Sequence, residues 1–129
     1  MDAVNIFKAL GDENRIRILN MLMKEELCVC EIETILNMTQ SNVSRHLIKL
    51  KSADIIESEK VAQWAHYKIS NRFIEQNDYL YQFLKAEAVT NIQCQKDIER
   101  LYKYKNSNFN CEHIRANKSE VEKFLEGEQ

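Results

Sequence analysis

The sequence has no proline, and its two glycines, Gly11 and Gly127, stand near its two ends. Proline and glycine are the strongest interruptions of regular structure, so their scarcity predicts a mainly helical chain. The sequence also lacks an apolar run of membrane-spanning length, and its start lacks the basic and apolar segments of a secretory signal. We therefore expect a cytoplasmic protein with no membrane partner, whose four cysteines stay reduced.

Residue patterns typical of enzymes are missing as well. The sequence has no glycine-rich phosphate loop and no paired catalytic carboxylates, and its three histidines, at positions 46, 66 and 113, are too scattered to suggest a triad. We expect a protein that is not an enzyme. With 129 residues, it fits one small domain that association with a partner would stabilise.

Charge is distributed unevenly around a net value of −2. Residues 38–53 contain Arg45, Lys49 and Lys51 and no acid, whereas residues 106–129 hold five acids against three bases. A basic face matters more for nucleic-acid binding than the overall sum. Only the first segment is therefore suited to the phosphates of nucleic acid.

The spacing of apolar residues predicts a helix-turn-helix. Asp12 is a candidate cap for an early helix, and Thr39 is one for a later helix, which we call the reading helix. In the reading helix, Val43, Leu47 and Leu50 fall at i, i+4 and i+7, which turns Arg45, His46 and Lys49 outward. The shorter helix before it carries Ile32, Ile35 and Leu36. Together they have helix-turn-helix spacing.

The second half of the chain predicts a wing and a dimer. Residues 55–59 and 64–69 are rich in β-branched and aromatic residues, which predicts a small hairpin. From about residue 71 to 104, an apolar stripe predicts one long helix that seeks a partner such as a second copy. We predict a dimeric winged helix-turn-helix, mainly α with a small β-hairpin. Residues 1–105 form the DNA-binding and dimerisation domain, and residues 106–129 form a C-terminal tail with room for a short helix over residues 120–126.

Cys28 and Cys30 lie just before the short helix, separated by one residue. Thiolates select soft ions, so this pair is a candidate metal site. A regular helix would separate the two sulfurs, whereas extended chain puts them on one side. Binding should therefore favour a non-helical start of the short helix. A soft ion bound by the two cysteines can therefore reposition the reading helix. The free energy that couples two such sites is typically about 1–3 kcal/mol.

Three stretches form a combined pattern, and they are ALGDENRIRIL (residues 9–19), ELCVCEI (residues 26–32) and QSNVSRHL (residues 40–47). Together they resemble the ArsR/SmtB family of winged-helix metalloregulators, and specifically its arsenic-responsive branch. The resemblance covers roughly residues 3–103. It implies a cytoplasmic homodimer that represses a resistance operon and leaves its double-stranded operator DNA when As(III) or Sb(III) binds Cys28 and Cys30.

The chain departs from the family pattern at Glu33, where arsenic-responsive members often carry a third cysteine. The candidate sulfur ligands for the third position on the ion are Cys94, Cys111 and a small thiol from outside the protein. We expect an outside thiol or water to complete the site. Cadmium- and lead-responsive members share a similar cysteine pair but add N-terminal cysteines, which residues 1–27 lack.

Eight side chains in and beside the reading helix are predicted DNA contacts. Asn and Gln suit adenine and Arg suits guanine, and the start of such a helix meets base edges. The predicted base readers are Gln40, Ser41, Asn42 and Arg45. The predicted phosphate contacts are Ser44, His46, Lys49 and Lys51.

The same cysteines also suit three kinds of protein in which arsenic does not release operator DNA. These are a thiol-based redox-sensing regulator, a Cd(II)- or Pb(II)-responsive regulator and a metal-buffering protein. The preference among As(III), Sb(III), Bi(III) and Cd(II), and the operator sequence, stay open at the level of the sequence.

Overall fold

The computed structural model describes residues 2–127 and has a mainly helical fold with one small sheet. The predicted combination of a mainly α chain and a β-hairpin is confirmed. The elements, in chain order, are α1 (Ala3–Leu10), α2 (Glu13–Leu22), β1 (Leu27–Cys28), α3 (Val29–Leu36), α4 (Gln40–Ser52), β2 (Ile56–Val61), β3 (Trp64–Ile69), α5 (Asn71–Gln76), α6 (Asp78–Thr90), α7 (Ile92–Lys105), α8 (Cys111–Ala116) and α9 (Lys118–Leu125).

Two helices begin at the caps that the sequence predicted. The Asp12 carboxylate accepts hydrogen bonds from the backbone N–H groups of Asn14 and Arg15, and the Thr39 hydroxyl accepts one from the N–H of Asn42. These bonds satisfy N–H groups that have no partner within a helix. The cap at Thr39 fixes the start of α4, which is the predicted reading helix.

Helices α3 and α4 pack together as the helix-turn-helix. α3 ends at Asn37, whose positive φ of 56° turns the chain toward α4. Asparagine tolerates this left-handed backbone better than most residues. On α4, Val43, Leu47 and Leu50 are buried in the core, as their spacing predicts. The same core takes in the inner faces of α1, α2 and α3.

The predicted wing is confirmed as the hairpin of β2 and β3, which pair in antiparallel register along their whole length. Ala62, in the two-residue turn, has a φ of 57°. The short strand β1 pairs with the other edge of β3, and Cys28 lies opposite His66. The sequence did not predict β1, since two residues carry no periodicity. Through β1, the cysteine-bearing segment is attached to the wing.

The single long helix predicted from about residue 71 to 104 is wrong, because the structure divides it into α5, α6 and α7. The breaks lie at Asn77 and Asn91, which leave helical backbone angles. The Asn91 side chain accepts a hydrogen bond from the N–H of Cys94 and so caps α7. Asparagine side chains offer the backbone such alternatives, which explains a break without proline or glycine.

Two helices, α8 and α9, follow the loop after α7, where the sequence predicted one helix over residues 120–126. Ile114, Val121 and Leu125 are buried in the main hydrophobic core, and both helices pack against α3. α8 was not predicted, because six residues are too few to display a helical period. Residues 128 and 129 of the predicted tail lie outside the described residues.

Apolar side chains remain exposed on α1 and α6. Tyr79, Phe83 and Val89 on α6 are exposed by 94%, 58% and 70%, and Val4 and Phe7 on α1 by 55% and 63%. Apolar surface of this kind is typical of protein interfaces. Within residues 2–127, no helix has the length and apolar character needed to cross a membrane.

Candidate metal centre and nucleic-acid interface

Three cysteine side chains converge at the start of α3. The sulfurs of Cys28, Cys30 and Cys111 all lie within 4.8 Å of one another. The sulfurs of Cys28 and Cys30 are 3.1 Å apart. The expectation that all four cysteines stay reduced is wrong for Cys28 and Cys111, which are joined as a disulfide. Their Cα atoms are 7.4 Å apart, beyond the roughly 4.4–6.8 Å usual for disulfides. We call these three residues the thiol cluster.

A change of backbone conformation brings the first two sulfurs together. Cys28 is extended and is the last residue of β1, whereas Cys30 lies in the first turn of α3. The expected non-helical start is therefore present, although only one of the two residues is extended. The Glu31 carboxylate accepts hydrogen bonds from the N–H of Cys28 and from the Tyr104 hydroxyl on α7. This bridge holds the turn in place.

Cys111 is the first residue of α8 and lies 83 residues after Cys28 in the sequence. The Asn110 side chain caps α8 by accepting a hydrogen bond from the N–H of His113. Our expectation that the third ligand comes from outside is therefore not required, since this chain brings its own third sulfur to the pair. The sequence analysis named Cys111 among the candidate third ligands, but no local signal favoured it over Cys94 or an outside thiol.

Cys94, the other proposed third ligand, does not join the cluster. It is buried on α7, where its backbone carbonyl accepts a hydrogen bond from the Asn20 side chain. Burial raises the pKa of the Cys94 thiol. Its surroundings fit a thiol packed in the interior.

The cluster lies beside acidic side chains. Burial, reinforced by the carboxylates of Glu31 and Glu33, raises the pKa of the Cys30 thiol to about 11. Cys30 is therefore a neutral thiol near pH 7. Redox-sensing thiols generally have a lowered pKa, because the thiolate is the reactive form. This environment does not activate Cys30 toward oxidants.

An open pocket of about 570 Å³ adjoins the cluster and gives access to it. α3, α4, the wing and the C-terminal helices all contribute to its wall. Besides Cys28 and Cys30, the residues that line it include Val29, Glu33, Gln40, Trp64, Arg115 and Lys118. The pocket thus borders two residues of the thiol cluster and also Gln40, the first residue of the reading helix.

Seven of the eight predicted DNA contacts lie on α4 with at least partly exposed side chains. Asn42 and Ser44 are half-buried, and Gln40, Ser41, Arg45, Lys49 and Lys51 are exposed. The Arg45 guanidinium donates a hydrogen bond to the Asn42 side chain, and the Lys51 ammonium donates one to Ser58 on the wing. These bonds orient two cationic side chains along one surface.

His46 is a correction to the predicted set, because it is buried rather than turned outward. Its Nδ1 lies 3.2 Å from a guanidinium nitrogen of Arg15 on α2. Burial, with the Arg15 charge, lowers the pKa of His46. Its position at i+3 from Val43 and i+4 to Leu50 could have revealed this, since that spacing belongs to the inner face.

Comparison with known proteins places this geometry in a family. Residues 12–58 match the model described as bacterial regulatory protein, arsR family. The arsenic resistance transcriptional regulator ArsR1 of Pseudomonas putida is 38% identical over 65 residues, which are 50% of this chain and 51% of that protein. The cadmium resistance transcriptional regulatory protein CadC of Listeria innocua is 41% identical over 66 residues, 50% of this chain and 56% of that protein. The chain thus spans about half the length of these two relatives.

Longer matches cover the fold more fully. HlyU from Vibrio cholerae is 33% identical with a TM-score of 0.54, over 63% of this chain and 89% of that one. The homodimeric winged helix-turn-helix DNA-binding domain Mb0332 from Mycobacterium bovis is 27% identical with a TM-score of 0.57. This match covers 67% of this chain and 80% of that one. The arsenic resistance transcriptional regulator ArsR2 of Pseudomonas putida is 32% identical over 90 residues, 69% of this chain and 76% of that protein. The chain therefore belongs to the ArsR family of bacterial regulatory proteins.

Proposed function

We propose that the protein is a homodimeric transcriptional repressor that binds operator DNA through α4 and releases it when As(III) or Sb(III) binds Cys28, Cys30 and Cys111. The observation that carries the proposal is the convergence of three cysteine sulfurs beside the start of α3, the helix that packs on α4. Relatives named as arsenic and cadmium resistance regulators support it.

The donor set suits a trivalent ion of this group better than a divalent cation. Sulfur ligands select soft ions. Exchange of the three hydroxides of As(OH)₃ for three thiols releases three waters and leaves the site without net charge. Three thiolates around a divalent cation would leave a negative charge near the carboxylates of Glu31 and Glu33, and like charges in a buried site repel. The local charges therefore favour As(III) and Sb(III) over Cd(II).

Two contacts connect the thiol cluster to the DNA-binding elements. α3 packs on α4, and the pocket beside the cluster reaches Gln40 at the start of α4. On α8, the Arg115 guanidinium lies 5.6 Å from the centre of the Trp64 ring, at the first residue of β3. Binding that prefers one arrangement of α3 and α8 shifts the DNA-binding surface, with typical coupling of about 1–3 kcal/mol.

The reading helix supplies the DNA contacts in this proposal. Its N-terminal part would meet base edges in the major groove, and its cations would bind phosphates. The proposed base readers are Gln40, Ser41, Asn42 and Arg45, and the proposed phosphate contacts are Ser44, Lys49 and Lys51. His46 instead supports α4 from within through Arg15.

Dimerisation would cover the exposed apolar side chains of α1 and α6. Support comes from Phe7 and Phe83, which are both more than half exposed, and from the homodimeric Mb0332 domain. A two-fold dimer sets its two reading helices about 34–36 Å apart, which is one turn of DNA. The symmetry of the protein would then match a palindromic operator.

A redox-responsive regulator is the second candidate, because Cys28 and Cys111 form a disulfide in the structure. Such a bond would consume two of the three thiols and couple α8 to β1. The raised pKa of Cys30 does not favour attack on peroxide by that thiol. Arsenite and peroxide therefore separate the two candidates experimentally.

The first prediction concerns the thiol cluster. Cys28→Ser, Cys30→Ser and Cys111→Ser each leave operator binding by the reduced protein unchanged and abolish its release by arsenite, because each removes one of three ligands. Cys94→Ser is the matched control, since it removes a buried thiol outside the cluster. Gel shifts under arsenite titration measure the effect. Normal release of Cys111→Ser would contradict the three-cysteine site, and release by peroxide alone would support the redox candidate.

The second prediction separates base from phosphate contacts. Arg45→Ala weakens operator binding by about 1–3 kcal/mol if Arg45 reads a guanine, and relaxes discrimination at that base. Lys51→Ala weakens binding to operator and random DNA alike and reduces the salt slope by about one. Lys123→Ala, an exposed change on α9, is the control. Titrations on both DNAs at several salt concentrations decide, and equal effects on discrimination would contradict these roles.

The third prediction tests the dimer. Phe83→Glu converts the dimer to a monomer in sedimentation experiments, because it would bury a charge in the proposed apolar interface. Gln76→Glu adds the same charge at an exposed position on α5 and should leave the dimer intact. A wild-type protein that sediments as a monomer at micromolar concentration would contradict the proposal.

A further inference from the structure

Glu33 carries a buried carboxylate that is incompletely satisfied. Its side chain is nine-tenths buried, and its Oε1 lies 3.3 Å from the Lys118 ammonium on α9. Among residues 2–127, its other oxygen, Oε2, has no hydrogen-bond partner. A carboxylate accepts several hydrogen bonds, and leaving a buried acceptor without one is costly. This oxygen therefore calls for a donor that residues 2–127 do not supply.

The position of Glu33 indicates which donor would reach it. Glu33 follows Cys30 by three residues on α3, which puts both on one face of the helix. Both residues line the pocket beside the thiol cluster. The terminal torsion of a glutamate side chain is soft, so a small rotation can turn either oxygen toward the pocket. A molecule that approaches Cys30 through this pocket passes the carboxylate.

We propose that Glu33 accepts a hydrogen bond from a hydroxyl of As(OH)₃ or Sb(OH)₃ and so captures the uncharged trihydroxide before it reaches the thiols. This inference rests on the proposed function and adds a binding residue to it. The trihydroxides offer O–H donors, whereas an ionised carboxylate only accepts. The Lys118 ammonium lies 3.3 Å from Oε1 and so pairs with the other oxygen of the carboxylate.

Glu33 is not consumed in the exchange that follows. Each step breaks one S–H and one As–O bond and forms one As–S bond, and the thiol proton leaves with the hydroxide as water. Once a thiol reductant has converted the Cys28–Cys111 disulfide to two thiols, the exchange itself transfers no electrons and needs no further reactant. Because the carboxylate only holds the trihydroxide beside Cys30, its loss should slow capture without removing any of the three sulfur ligands.

A purely electrostatic role for Glu33 makes the opposite prediction. The negative charge of Glu33 contributes to the raised pKa of the Cys30 thiol. If that were its whole effect, Glu33→Gln would make the thiol more reactive toward every reagent, including arsenite. Capture through a hydrogen bond predicts that arsenite binding slows while the reaction of Cys30 with a small uncharged alkylating agent does not.

The experiment compares the reduced protein with its Glu33→Gln variant. Stopped-flow absorbance of the arsenic–sulfur bonds gives the association rate of arsenite, and iodoacetamide gives the intrinsic reactivity of the thiols. We expect Glu33→Gln to slow arsenite association by about tenfold, the loss of one hydrogen bond to a charged group. Iodoacetamide should react at least as fast as with wild type. Glu57→Gln, which removes an exposed carboxylate on the wing, should change neither rate.

Three outcomes would overturn the inference: unchanged or faster arsenite association in Glu33→Gln, equal slowing of arsenite and iodoacetamide, or a similar slowing in Glu57→Gln. Glu33→Asp provides a second variant if Glu33→Gln does not fold, because it keeps the carboxylate but shortens its reach. Its arsenite rate should also be reduced, with operator binding intact, and an unchanged rate would count against capture. Wild-type protein that binds no arsenite would contradict the proposed function itself.

Discussion

Helix α3 is held at both of its ends by side chains, and it packs against α4, α7, α8 and α9. At its start, Glu31 accepts hydrogen bonds from the N–H of Cys28 and from the Tyr104 hydroxyl on α7. At its end, the guanidinium groups of Arg17 and Arg100 donate to its last carbonyls. These are the groups that a helix cannot satisfy internally. Since α3 also packs on α4 and α8, the ligand proposed at its first turn would act on a helix in contact with both.

Features that depend on neighbouring residues could be predicted from the sequence. The caps at Asp12 and Thr39 follow from side chains that accept backbone hydrogen bonds, and the inner face of α4 follows from its 3.6-residue period. The hairpin follows from its β-branched and aromatic residues. The helix breaks at Asn77 and Asn91 could not be predicted in this way, because asparagine is a weaker local signal than proline or glycine.

Features that depend on distant contacts could not be predicted. The sulfur of Cys111 reaches Cys28 only because α8 folds back onto α3, and no periodicity relates the two positions. The spacing of His46 from Val43 and Leu50 indicates its burial, but its polar partner inside the fold, Arg15 of α2, comes from a distant position in the sequence. The role of Glu33 could not be predicted either. The family resemblance identifies position 33 only as the place of a missing cysteine, whereas the fold places Glu33 in the pocket wall and pairs it with Lys118.

In the proposed function, three cysteines of one chain hold a single trivalent ion. X-ray absorption at the arsenic edge, on reduced protein with one equivalent of arsenite per subunit, counts the sulfurs bound to arsenic. The three-cysteine site predicts three sulfurs for the wild-type protein and two sulfurs with one oxygen for Cys111→Ser. Two sulfurs in both proteins would contradict the claim, because Cys111 would then not be a ligand.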